Sequence, residues 1–137
     1  LFGEAVVSHS PALMRDFRYS IKQHGGMLAK GRLLGLQFEA LFTDNLYFEI
    51  ARHAVSEALR IKKALQVLGV PFLMESHTNQ QFPILPNDVV ERLNKNFLFT
   101  PWQRMSDTHT AIRICTSWGT TAENVNLLLD ALRNTPI

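Results

Sequence analysis

Apolar residues near the start of the chain recur first at strand spacing and then at helix spacing. Glu4-Ala5-Val6-Val7 predicts a short strand, and Pro11 can open a helix because its missing N–H would have no partner in a first turn. Leu13, Met14, Phe17 and Ile21 continue at helical spacing until Gly25-Gly26 end or bend the helix. A second helix is expected from about residue 27 to 42. Asp44 can cap the longest helix, residues 45 to about 68, in which Leu46, Ile50, Ala54, Ala58, Ile61, Leu65 and Leu68 repeat at steps of three and four. Gly69 and Pro71 stop it, and Phe72-Leu73-Met74 reads as a strand with residues 82–85 as a plausible partner. Pro86-Asn87-Asp88 opens a short helix through Leu93, then Phe97-Leu98-Phe99 and residues 111–116 read as strands. Thr120-Thr121-Ala122-Glu123 fits a capping box, with Val125, Leu128, Leu129 and Leu132 as the apolar stripe behind it.

From residue 45 onward, helix and strand alternate as in a compact α/β domain. Before residue 37 there are one strand and two helices without a second strand, and a lone strand cannot stabilise itself. The N-terminal part therefore reads as having belonged to a larger sheet.

Composition adds bounds. The 137 residues, 46% hydrophobic and 19% charged, suit one soluble globular domain with a real core. Net charge is only +2, which gives no argument for nucleic acid or an anionic membrane. The single cysteine, Cys115, cannot form an internal disulfide, and no zinc-type spacing of Cys or His occurs, so a cytoplasmic protein without a metal is expected. The longest apolar uncharged run, residues 64–74, is well short of the ~20 residues that span a bilayer. No signal peptide is visible, and opening on Leu1 rather than Met points to a processed product or a piece of a longer chain.

Two places could carry chemistry. In Ala-Ile-Arg-Ile-Cys-Thr, Ile112 and Ile114 point to one face of a strand and Arg113 to the other. If buried, that guanidinium should hold a carboxylate, from the protein or from a ligand, because it cannot shed its charge. The simpler reading leaves Arg113 in water on an exposed face. The second place is residues 11–37, where Arg15, Arg18, Lys22, Lys30 and Arg32 face one acid, Asp16. With Gly25 and Gly26, whose backbone N–H groups could approach an anion, this stretch suits phosphate. It equally fits solvated helix surfaces and a plain helix breaker. Cys115 reads as a small core residue, and Trp102 and Trp118 as core aromatics that could also stack on a ring.

The stretch Asp16-Phe17-Arg18-Tyr19-Ser20-Ile21-Lys22-Gln23-His24-Gly25-Gly26-Met27-Leu28-Ala29-Lys30-Gly31-Arg32-Leu33-Leu34-Gly35 resembles the low-specificity L-threonine aldolase and β-eliminating lyase family of pyridoxal 5'-phosphate (PLP) enzymes. Leu46-Tyr47-Phe48-Glu49-Ile50-Ala51-Arg52-His53-Ala54 and Ile112-Arg113-Ile114-Cys115-Thr116-Ser117-Trp118 extend the resemblance over essentially the whole chain. It implies an α/β fold, the C-terminal small domain of a fold type I PLP enzyme, with residues 1–37 as the end of the large PLP-binding domain and 38–137 as the small domain. It implies that Leu1 to Val7 is the strand that follows the Schiff-base lysine, which would fall just before Leu1. It implies that Arg113 binds the substrate α-carboxylate and that Lys22, Lys30, Arg32, Gly25 and Gly26 lie near the cofactor. Family members often carry a third glycine followed by Met-Arg-Gln where this chain has Met27-Leu28-Ala29-Lys30. The expected function is retro-aldol cleavage of L-threonine or L-allo-threonine to glycine and an aldehyde, by a homodimer or homotetramer acting on a small amino acid. The alternatives are β-elimination on another amino acid, or a non-catalytic docking module, since a piece without the lysine is expected to be inactive alone.

Overall fold

The structure is a computed structural model that describes residues 2–136, and it divides into two compact units, one up to Tyr47 and one from Phe48 onward. The first unit holds α1 (Pro11–Met14), α2 (Phe17–Gln23), α3 (Arg32–Phe42) and a 3-10 turn (Thr43–Asn45). Helix α4 (Leu46–Val67) leads into the second unit. There β1 (Gln80–Gln81), β2 (Ile84–Pro86), α5 (Asn87–Leu93), β3 (Thr100–Arg104), β4 (His109–Cys115) and α6 (Ala122–Arg133) follow. The mixture of helices with one antiparallel sheet is the small α/β domain that the sequence led us to expect.

Several elements differ from the expectation, each for a local reason. Residues 4–7 form no strand: no second strand lies beside them, Phe2 N–H donates to Gln37 Oε1 on α3 (3.1 Å), and Gly3 lies against Leu34 and Phe38 of the same helix. Leu1, where that strand was expected to begin, lies outside the described residues. The first expected helix is broken between α1 and α2 because Asp16 takes the left-handed conformation (φ 57°), which Asp tolerates better than most residues. The second begins only at Arg32. Residues 97–99 lead into β3 rather than forming a strand, and residues 72–74 contribute one bridge, Phe72 with Pro83.

Helix α4 buries Ala54, Glu57, Ala58, Ile61, Lys62 and Leu65, so the apolar stripe is real between positions 54 and 65 and frays beyond them. Gly69 ends the helix in the left-handed region (φ 76°), with Gly69 N–H donating to Gln66 O and Val70 N–H to Leu65 O, both 3.0 Å. Helix α6 is capped by Thr121, whose hydroxyl accepts from Asn124 N–H (3.2 Å). The neighbouring Thr120 is occupied elsewhere, accepting from Ser117 N–H (2.9 Å), so the cap falls one residue later than the Thr120–Glu123 box implied.

Strand β4 is the hub of the sheet. It pairs antiparallel with β1, β2 and β3. Its pairings with β1 and β2 keep one register, so Phe82 and Pro83, between them, stand opposite Arg113 and Ile112, and Ile112 N–H donates to Pro83 O (3.0 Å). Alternation then sends Ile112 and Ile114 inward, into a core with Ile61, Leu65, Leu85, Val89, Val125 and Leu132. Arg113 and Cys115 are left on the outer face.

Candidate functional site

Arg113 sits at the centre of that outer face. Across β4, Phe82 flanks it on one side and Thr100 of β3 on the other. The β3–β4 register slips between Pro101 and Gln103, which makes Trp102 the extra residue of a β-bulge, a device that re-aims a side chain. Its indole ring centroid lies 5.3 Å from Arg113 Cζ and 5.1 Å from the Phe82 ring, the two rings tilted at 60°. Arg113 is half-buried and its Nε is buried with no hydrogen-bond partner. Among the described residues no acidic side chain comes within ion-pair distance of it. Arg113 also borders a cleft of about 430 Å³ with Phe97, Phe99, Thr116, Thr120 and Leu128.

The end of β4 is firmly tied. Thr116 is buried, its N–H donates to Asn79 O (3.0 Å), its carbonyl accepts from Asn79 Nδ2 (2.7 Å), and its hydroxyl donates to Ala54 O on α4 (2.6 Å). His53 adds a contact from α4, its Nε2 lying 2.7 Å from Thr120 O. Deeper in the same unit, the buried Lys62 ammonium is held by Glu75 and by Ser76 O (3.0 Å). That hydrogen bond and the ammonium charge hold the Glu75 carboxyl below its ordinary range.

The basic residues lie in the first unit. Arg18 and Lys22, one helical turn apart on α2, line a cleft of about 580 Å³ closed by residues 27–29 and Gly31. Lys30 and Arg32 line a separate one with Leu33 and Leu36. Among the described residues none of these four cations has an acidic partner. The backbone N–H groups of the two glycines are both engaged locally. Gly25 N–H donates to Lys22 O (3.1 Å) and Gly26 N–H to Ile21 O (2.9 Å), so both groups close the end of α2. The side-chain cations Arg18 and Lys22 are the charged groups that share one cleft. Among the described residues no cluster of three or more His, Cys, Asp or Glu gathers as a metal site would. No helix of the described residues is long and apolar enough to cross a membrane.

Sequence reasoning singled out Arg113 but left Trp102 open between a core aromatic and a ring-stacking residue, and did not weigh Phe82 beside it. The bulge hides Trp102: simple alternation does not reveal that two consecutive residues, Trp102 and Gln103, meet one residue of β4. The available signal was Pro101, which in a strand marks an edge or an irregularity.

No protein-family model matches the chain. None of the curated proteins matches it either. Among solved structures it is similar to the threonine aldolase of Leishmania major, with 38% of residues identical and a TM-score of 0.80, the match covering 85% of this chain and 34% of that one. The chain thus spans about a third of the length of that relative. Identity at this level, together with a shared fold over most of its residues, places the chain in the threonine aldolase family, with the fold of its C-terminal portion.

Proposed function

We propose that this chain supplies the carboxylate-binding part of a PLP-dependent lyase that cleaves L-threonine or L-allo-threonine to glycine and an aldehyde. The observation that carries the reading is Arg113: a half-buried guanidinium with a buried, unpartnered Nε and, among the described residues, no acid beside it. A cation partly withdrawn from water and left unpaired is costly unless a ligand completes it. The α-carboxylate of an amino acid does so, because its two oxygens match the arginine fork. The family likeness supports the rest.

Arg113 would hold the carboxylate end of the substrate, fixing how the Cα–Cβ bond is presented for cleavage. Trp102 and Phe82 form an apolar wall beside it that limits water at that end. Arg18 and Lys22 would hold the cofactor's phosphate in their cleft, with Lys30 and Arg32 as the neighbouring cations. Bound PLP supplies an electron sink for the charge left at Cα when the bond to Cβ breaks. In the cleavage the β-hydroxyl loses its proton as the aldehyde forms, and Cα gains one to give glycine.

The test is Arg113→Gln in the full-length enzyme that carries this chain. KM for L-threonine should rise by about 30-fold or more, since loss of a charge-assisted carboxylate pair costs roughly 2–5 kcal/mol, while PLP absorbance stays as in the parent. Unchanged kinetics would remove Arg113 from the site.

A further inference from the structure

We propose that Trp102 is a positioning residue that clamps the Arg113 guanidinium and keeps its donors free for the carboxylate. This rests on the carboxylate reading of Arg113. Most half-buried arginines are held by an acid, which fixes the side chain but occupies its N–H groups and cancels its charge. An aromatic face does something different. Its quadrupole attracts the cation without taking up the donors. Arg113 is held in this way, with its Cζ 5.3 Å from the Trp102 ring centroid and no acid within ion-pair distance among the described residues.

Three further features set Trp102 in that place. The β-bulge makes Trp102 the unpaired residue of β3 and turns its indole toward the middle of the sheet. Phe82, opposite Arg113 in the register of β1 and β2, lies 5.1 Å from the indole and backs it. Pro101 precedes the bulge at a position where its missing N–H costs nothing. Its partner Ile112 directs its own N–H to Pro83 on the other side, so Pro101 faces β4 at a non-hydrogen-bonded pair. Trp102 is nevertheless 48% exposed, although it is the largest side chain on this face. A ring recruited only to fill a core would be buried more completely.

The experiment compares the full-length enzyme that carries this chain, loaded with PLP, with its Trp102→Phe, Trp102→Leu and Arg113→Gln variants. Leu keeps apolar packing on Phe82 but has no π face, whereas Phe keeps the face. The first readout is NMR of the Arg113 guanidinium: slowed rotation about its Cζ–Nε bond and ring-current shifts of its Nε–H. The second is titration with L-threonine, with L-threoninol as the probe that lacks the carboxylate. We expect the clamped signature in the parent and Trp102→Phe chains and its loss in Trp102→Leu. L-threonine affinity should fall about three- to tenfold in Trp102→Leu, in line with a cation–π contact, while Trp102→Phe stays close to the parent. A Trp102→Leu chain that keeps both the signature and the affinity overturns the clamp. If Trp102→Leu and Trp102→Phe lose affinity and melting temperature equally, Trp102 is only packing and the proposal also falls. A parent chain that binds L-threonine no better than Arg113→Gln does would instead remove the carboxylate reading, with the NMR signature showing separately whether the clamp exists.

Discussion

Thr116→Val tests how β4 is anchored at the end next to Arg113. The substitution keeps the shape of the side chain and removes one hydroxyl, which donates to Ala54 O on α4 at 2.6 Å and lies 3.3 Å from Asn79 O. Neither acceptor is orphaned: Ala54 O lies inside a helix, and Asn79 O still receives Thr116 N–H at 3.0 Å. The loss is therefore that of a buried hydrogen bond without an added desolvation penalty, about 1 kcal/mol. For a cooperative unit the size of the one from Phe48 onward, that lowers the melting temperature by roughly 4–8 °C. Thermal unfolding followed by far-ultraviolet circular dichroism reads the shift, with Thr116→Ser as the control that keeps the hydroxyl. If Thr116→Val melts with the parent while Thr116→Ser does not, the hydroxyl bond to α4 carries no weight and the anchoring reasoning fails.

Leu65→Ala should cost about 2–5 kcal/mol, because Leu65 is fully buried where α4 meets the core; chemical denaturation measures it. Thr121→Ala should destabilise by about 1 kcal/mol through loss of the α6 cap, whereas Glu123→Ala should cost only about 0.3–1 kcal/mol through the helix dipole, since among the described residues no reciprocal bond from Glu123 closes the box. Acid should weaken the fold through Glu75. Its folded-state carboxyl titrates below its ordinary value, so its contribution is present above the ordinary carboxylate range and is lost as pH falls through the lowered value. Denaturation midpoints across that window should show a shallower acid slope in Glu75→Gln. Lys62→Met should be milder than Glu75→Gln at neutral pH, because it leaves an exposed carboxylate in water rather than a buried ammonium without its partner.

Elements with a single strong local cause were legible in the sequence. The stripe at Ala54, Ala58, Ile61 and Leu65 and the Gly69-Val70-Pro71 stop gave the long helix, and the Ile112-Arg113-Ile114 alternation put the arginine opposite the core. Elements that depend on distant neighbours were not. Val6 and Val7 have strand-forming side chains, but a strand exists only with a partner, and residues 2 and 3 lie on α3 instead. The choice between Thr120 and Thr121 as cap rests on a bond from Ser117, which repeated threonines cannot signal. Gly25 and Gly26 are similar: a glycine pair after a helix suits an anion cradle or a helix stop, and the sequence does not show the acceptors, Lys22 O and Ile21 O, that their N–H groups find.

The same logic explains why Arg113 could be picked out yet not understood from its spacing. Alternation says only that a strand residue faces away from the core, and an arginine there is ordinarily a solvated charge. What changes its meaning is its company on β1 through β4. Phe82 is fixed by a register that continues through an interruption between two short strands, and Trp102 by a bulge on the opposite strand. Both are tertiary facts. They replace the polar neighbours expected on a solvated face with two aromatic rings, and so turn a surface charge into a partly desolvated one without a counter-ion among the described residues. A folded chain tolerates that arrangement when the missing charge arrives with a ligand. The strand that completes the core through Ile112 and Ile114 thereby also holds the arginine proposed to take the substrate's carboxylate, and a shift of its register by one residue would displace both together.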